Sequence, residues 1–104
     1  MSVYLIVRAK VSDPALKDDF ERWYRDEHLP DAHKGFNSRR AWRGWSAVEP
    51  HVHYACYEFD DIAQARKIQS SEALKSLIAE FDRVWGNKVV RTRDVVEIVQ
   101  TLGA

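Results

Sequence analysis

The chain has 104 residues, enough for one ordinary hydrophobic core and too few for two, so residues 1–104 are expected to form a single domain. With 45% hydrophobic and 31% charged residues it has the composition of a soluble globular protein and not of a disordered one. Sixteen basic residues balance sixteen acidic ones; no net positive field attracts phosphate backbones or anionic lipid, and the same neutrality offers little resistance to self-association.

A single cysteine, Cys56, can form no intrachain disulfide and no zinc site by itself. The opening run Val3-Tyr4-Leu5-Ile6-Val7 is interrupted at once by Arg8 and Lys10, with no basic region ahead of it and no long apolar run elsewhere. Neither a signal peptide nor a membrane span is expected, and the cytoplasm is the simplest address.

From Val3 to Val11 the residues are β-branched and aromatic, which predicts a first strand with much of its surface covered. Asp13-Pro14 then predicts a helix start. The Asp carboxylate can cap free backbone N–H groups, and proline fits the first helical position because its missing N–H would be unpaired there. This helix is expected to run to Leu29, where Pro30 discourages continuation. Phe36 to Trp45 suits a second strand, and Val52 to Phe59 a third that is denser in β-formers.

Asp60-Asp61 offers another cap, followed by a short helical piece from Ile62 to Ile68 and a longer one after Ser70-Ser71-Glu72. In the longer piece Leu74, Leu77, Ile78, Phe81, Val84 and Trp85 form the stripe of a helix laid on a core, and Gly86-Asn87 ends it. The last strand is expected over roughly Lys88 to Thr101. The order β-α-β-β-α-β is that of the ferredoxin-like α+β fold, with two helices on one face of an antiparallel four-stranded sheet. Two layers leave the second sheet face bare. A homodimer packed through that face, opposite the helices, is the natural remedy.

On a helical wheel Leu16, Phe20 and Trp23 share one stripe with Tyr24 beside it. Glu27 then falls in the middle of the stripe, Asp31 would follow if the helix persisted, and His28 lies on the Tyr24 edge. A carboxylate in an apolar stripe near a helix C-terminus violates two local preferences together, which marks a paired or functional site. Glu27 can pair with Arg39, Arg40 or Arg43 and pin the helix to the sheet. His28 can be a satisfied structural histidine, or a neutral imidazole at a pocket mouth able to move a proton near neutral pH.

Phe20-Glu21-Arg22-Trp23-Tyr24-Arg25-Asp26-Glu27-His28-Leu29-Pro30-Asp31, followed by Gly35-Phe36 and Arg39-Arg40, resembles the helix-one signature of EthD-like proteins in the dimeric α/β-barrel superfamily. Trp85-Gly86 ahead of a basic final strand is also similar. The resemblance implies a homodimer whose sheets pack into a barrel, with a small-molecule cavity between helices and sheet in each subunit. It also implies an activity among cofactor-free monooxygenases, lactone isomerases and polyketide cyclases, or none. A helix-one histidine often lies in the cavity of such proteins, and His28 is the matching position.

His51 and His53 are two apart and could offer two metal ligands from one strand face, but no third ligand follows from spacing. Neither a metal nor any other cofactor is assigned. On the third strand, Phe59 beside the helix start looks like core, which favours His53 and Tyr57 as the cavity side; Tyr57 can donate to an oxyanion or simply fill the core. If Phe36 points into the core, Arg40 and Trp42 border the cavity, with Arg40 pairing Glu27 or holding an anionic substrate. Cys56 reads as a small buried hydrophobe. The four tryptophans could stack on bases, but zero net charge and no recognised motif argue against nucleic acid.

The reading that follows is a dimer binding a small cyclic or aromatic molecule. His28 is the candidate acid or base, with Tyr24 and Glu27 completing the catalytic group. Trp23, Arg40, Trp42, His53 and Tyr57 shape or bind the substrate. The alternative is a non-catalytic metabolite-binding or structural homodimer, in which the Glu27 to His28 cluster is a closed structural lock.

Overall fold

The computed structural model describes residues 2–103. Strand β1 (Val3–Val11) leads through Asp13, whose carboxylate accepts from the Ala15 amide, and a short 3₁₀ turn at Pro14–Leu16 into α1 (Lys17–Trp23). The helix does not stop at Leu29. It widens into a π turn over Tyr24–His28 and continues as α2 (Leu29–Phe36), ending at Asn37 in the left-handed conformation. Then come β2 (Arg40–Trp45), β3 (Val52–Phe59), α3 (Ile62–Gln69), α4 (Glu72–Trp85) and β4 (Val89–Glu97).

Proline is tolerated inside the helix because of where it falls. Pro30 lies directly after the π turn, in which the Leu29 amide donates to the Tyr24 carbonyl, five residues back. The widened turn relieves the clash a proline ring makes with the preceding turn of an α-helix. Because the helix reaches Phe36, β2 begins only at Arg40, four residues later than the alternation of the sequence suggested, and β4 ends at Glu97, short of Thr101.

The caps of α3 and α4 follow the sequence. Asp61 accepts from the Gln64 amide, Ser71 accepts from the Leu74 amide, and Gly86, at φ 55°, ends α4 in a conformation open to glycine.

The four strands are ordered β2-β3-β1-β4, all neighbours antiparallel, with the helices on one face. This is the ferredoxin-like α+β arrangement. The register puts Val3, Leu5, Ala9, Ala55, Tyr57, Phe59 and Val89 on the helical side, where they form one buried core with Phe20, Trp23, Tyr24, Ala32, Phe36, Phe81 and Trp85. The opposite face carries Tyr4, Ile6, Trp42, Tyr54, Cys56, Val90 and Val96 among polar neighbours, and Trp42 and Val90 are 47% and 62% exposed.

A histidine cavity with an arginine wall

The π turn decides which side chains reach the interior. One extra residue in a turn advances the helix phase by about 100°. The inward positions therefore pass from Phe20, Trp23 and Tyr24 to His28, Ala32 and Phe36. Glu27 and Asp31, which an unbroken α-helix would turn inward, are exposed instead. Glu27 is thus outside the cavity and does not meet Arg40, so the predicted lock between them does not form.

His28 is held by rings. Its imidazole stacks on the Trp23 indole, centroids 4.6 Å apart and planes inclined by 22°, and it meets the edges of Tyr24 at 4.8 Å and Phe81 at 5.7 Å. Burial, aided by the positive charge of Arg91, pulls its pKa down to about 4. At neutral pH it is an uncharged base.

His28 borders a cavity of about 30 Å³ between helices and sheet, whose walls include Leu5, Val7, Tyr24, Phe36, Tyr57, Phe81, Arg91 and Arg93. A space of this size holds a water molecule or two. It adjoins a larger groove of about 560 Å³ between α4 and β4, and the two share Leu5, Leu74, Ile78 and Arg93. The helical side chains Leu74, Leu77 and Ile78 remain only half-buried, because α4 stands off β4 and they line this space.

Tyr24 and Tyr57 are the cavity's hydroxyls. Burial raises Tyr24 to about 12, partly countered by a hydrogen bond from Tyr57, and burial raises Tyr57 well above the ordinary phenol value. Both are neutral phenols; Tyr57 donates to the Tyr24 oxygen, which leaves the Tyr24 proton to donate to an oxygen that gains charge.

His53 faces the helices but sits behind the cavity, fully buried against Tyr24 at 4.4 Å, Trp45 at 5.0 Å and Phe20 at 5.2 Å. Burial, then Arg43, lowers its pKa to about 4. The Arg43 guanidinium, which can only donate, lies 3.4 Å from His53 Nε2. The ring proton therefore resides on Nδ1, which has no hydrogen-bond partner among the described residues. His51 lies in the preceding turn at φ 62°, and among the described residues no cluster of three or more His, Cys, Asp or Glu could hold a metal ion.

Arg43 belongs to a network that sequence reasoning missed. Its Nη1 and Nη2 donate to Glu21 at 2.7 and 2.6 Å, and Trp45 Nε1 donates to the same carboxylate at 2.9 Å. The hydrogen bonds from Arg43 and Trp45 hold the Glu21 carboxyl at about 2. The pair thus pins α1 to β2, the role that Glu27 was expected to fill.

Two residues expected at the cavity lie on the other side of the sheet. Arg40 and Trp42 pair with Glu58 and Cys56, whereas Ala41, Arg43 and Trp45 face the helices. The parity taken from Phe36 fails because Phe36 is still helical and the left-handed Asn37 intervenes. Arg40 instead approaches Glu58 at 3.4 Å, and that carboxylate accepts from the Tyr4 hydroxyl at 3.0 Å. Cys56 is buried between Ile6 and Trp42, and burial raises its thiol pKa. Trp23 supports the cavity from behind through His28.

The architecture is shared with several solved structures. No protein-family model matches the sequence, and no curated protein matches it either. An EthD family protein from Bacillus halodurans is similar with a TM-score of 0.75 at 19% identity, covering 95% of this chain and 100% of that one. SnoaB, a cofactor-independent oxygenase from Streptomyces nogalater, is similar with a TM-score of 0.72 at 12% identity, over 99% of this chain and 98% of that one. HapK from Hahella chejuensis is similar with a TM-score of 0.71 at 16% identity, over 100% of this chain and 98% of that one. These likenesses establish a ferredoxin-like fold held in common with an EthD family protein. Among the described residues no helix is long and apolar enough to cross a membrane.

Proposed function

We propose that the protein is a homodimeric, cofactor-independent enzyme that moves a proton on a small cyclic or aromatic compound. The observation that carries this reading is the uncharged His28 imidazole, stacked on Trp23 and bordering a cavity with two neutral tyrosine hydroxyls. His28 accepts a proton from a C–H or O–H of the substrate. The oxygen that gains charge accepts a hydrogen bond from Tyr24, whose own oxygen accepts from Tyr57 behind it. Return of the proton to another atom gives an isomerisation or cyclisation; where the anion carries its charge on carbon, molecular oxygen as co-substrate forms a C–O bond with it and the peroxide takes back the His28 proton, giving a hydroperoxide. The adjoining groove, of about 560 Å³, has the volume of a small-molecule site and takes the body of the substrate. Likeness in fold to a cofactor-independent oxygenase supports the class of chemistry.

The second subunit packs on the open sheet face, where Trp42 and Val90 are exposed. A second reading, a non-catalytic metabolite-binding or structural homodimer, is favoured by the 30 Å³ volume of the space beside His28. Native mass spectrometry of freshly purified protein, followed by NMR of the His28 ring during titration with aromatic lactones and phenols, tests the proposal. A dimer whose His28 resonances move on ligand addition is expected. A monomer would overturn the dimer, and a His28 ring indifferent to every compound would overturn the enzyme reading.

A further inference from the structure

The helix-facing positions of β4 run Val89, Arg91, Arg93, Val95, opposite Val11, Ala9, Val7 and Leu5 of β1. Two arginines thus stand opposite apolar β1 neighbours at the β4 edge of the sheet, Arg91 half-buried and Arg93 reaching solvent. A half-buried arginine such as Arg91 is costly unless a negative partner meets it, whereas an exposed one such as Arg93 is free to meet an incoming anion. Arg91 has one partner in part: it donates to Asp82 at 3.1 Å, and its guanidinium lies 3.9 Å over the Phe81 ring. Arg93 makes no ion pair among the described residues, and it borders both the cavity and the groove.

No carboxylate lines the cavity. Asp94 borders the groove but belongs by register to the opposite sheet face, beside Ile6. His28, Tyr24 and Tyr57 are all uncharged at neutral pH, so Arg91 and Arg93 are the charged groups of the cavity wall. Arg91 also helps keep His28 unprotonated. The cationic and proton-accepting tasks therefore fall to different residues.

We infer that the cavity and groove select an organic carboxylate, whose two oxygens meet the planar fork of Arg93 with Arg91 behind it, while its ring lies against Leu74 and Ile78. This rests on the cavity being the substrate site, and it adds the substrate's charge to that reading. A carboxylate held there leaves the rest of the molecule pointing toward His28.

Benzoate and its neutral isostere benzamide are suitable probes, titrated by NMR into the full chain and into Arg93→Gln. Arg93 is solvent-exposed, so the variant retains the fold. Benzoate is expected to shift the signals of Leu74, Ile78 and His28, to bind at least about tenfold more tightly than benzamide, and to lose about tenfold in Arg93→Gln. Arg93→Lys should restore only part of the loss. Equal affinity for the two probes, or benzoate binding unchanged by Arg93→Gln, would overturn the charge selection while leaving the cavity as a ligand site. If neither probe moves the His28 signals, both readings fall together.

Discussion

The His28 imidazole stacks on the Trp23 indole at 4.6 Å, the planes inclined by 22°, because the two are five residues apart across a π turn. At that spacing one ring sits over the other, whereas an α-helix brings together residues three or four apart. Trp23 is also in aromatic contact with Phe20, Tyr24, Phe81 and Trp85. Trp23→Ala is therefore expected to cost about 3–5 kcal/mol in urea unfolding. It should also raise the His28 pKa from about 4 toward its ordinary value, because the ring that keeps water away is gone. NMR titration of His28 checks the second effect; an unchanged pKa would show that Trp23 does not govern the imidazole.

Stability should fall on mild acidification. His28 and His53 have pKa values near 4 in the folded chain against 6.5 in an unfolded one. Above the unfolded value both states are neutral and the contribution is complete. Between the two values the unfolded chain binds protons that the folded chain refuses, so stability is lost as pH falls, and below the folded value these groups add no further loss. Between neutral pH and about pH 5 the two histidines together account for roughly 4 kcal/mol of this change. In urea unfolding compared at neutral pH and about pH 5, His28→Gln should reduce the difference by about half. An undiminished difference in that variant would remove His28 from the account.

Glu21 and Arg43 should behave as one unit. Glu21→Ala strands a half-buried guanidinium and leaves Trp45 Nε1 without its acceptor, at an expected cost of about 2 kcal/mol, allowing for partial exposure of the carboxylate. Glu21→Met combined with Arg43→Met is expected to cost less than the sum of the single changes, with a coupling of about 1 kcal/mol. Strict additivity in a double-mutant cycle would show the pair to be decorative.

Trp42 should govern assembly and not ligand binding. It lies on the open sheet face, on the opposite side from the cavity. Trp42→Asp is expected to shift the sedimentation coefficient from dimer to monomer while leaving benzoate binding within about twofold. A dimer that persists in the variant would place the interface elsewhere.

The order of elements was legible from the sequence because each signal was local: a cap at Asp61, a stop at Gly86, an apolar stripe along α4, dense β-formers in β3. His28 and Tyr57 were legible as neighbours of the helix-covered sheet face for the same reason. The π turn was not. Nothing in the run Tyr24–His28 distinguishes a wide turn from an α-helix, and the error passed straight to Glu27, whose inward position depended on unbroken phase.

Arg40 and Trp42 were misplaced by the same kind of step, a face counted through residues that belong to a helix end. The partners of Glu21, the half-buried Arg43 and Trp45 of β2, lie so far along the chain from α1 that only topology joins them. Arg91 and Arg93 did carry a signal, as two like charges in register with apolar β1 neighbours.

The Trp23 stack also gives the molecule an optical gauge. A protonated imidazole in contact with an indole quenches its emission, and a neutral one does so far less. The brightness of Trp23 should therefore follow the charge on His28 directly. Trp45 stands edge-on to His53 at 5.0 Å, so a second indole follows the second histidine. With Trp45 replaced by phenylalanine, the pH-dependent part of the emission, above the steady light of Trp42 and Trp85, becomes a meter of the proton on one ring, and of anything that arrives beside it.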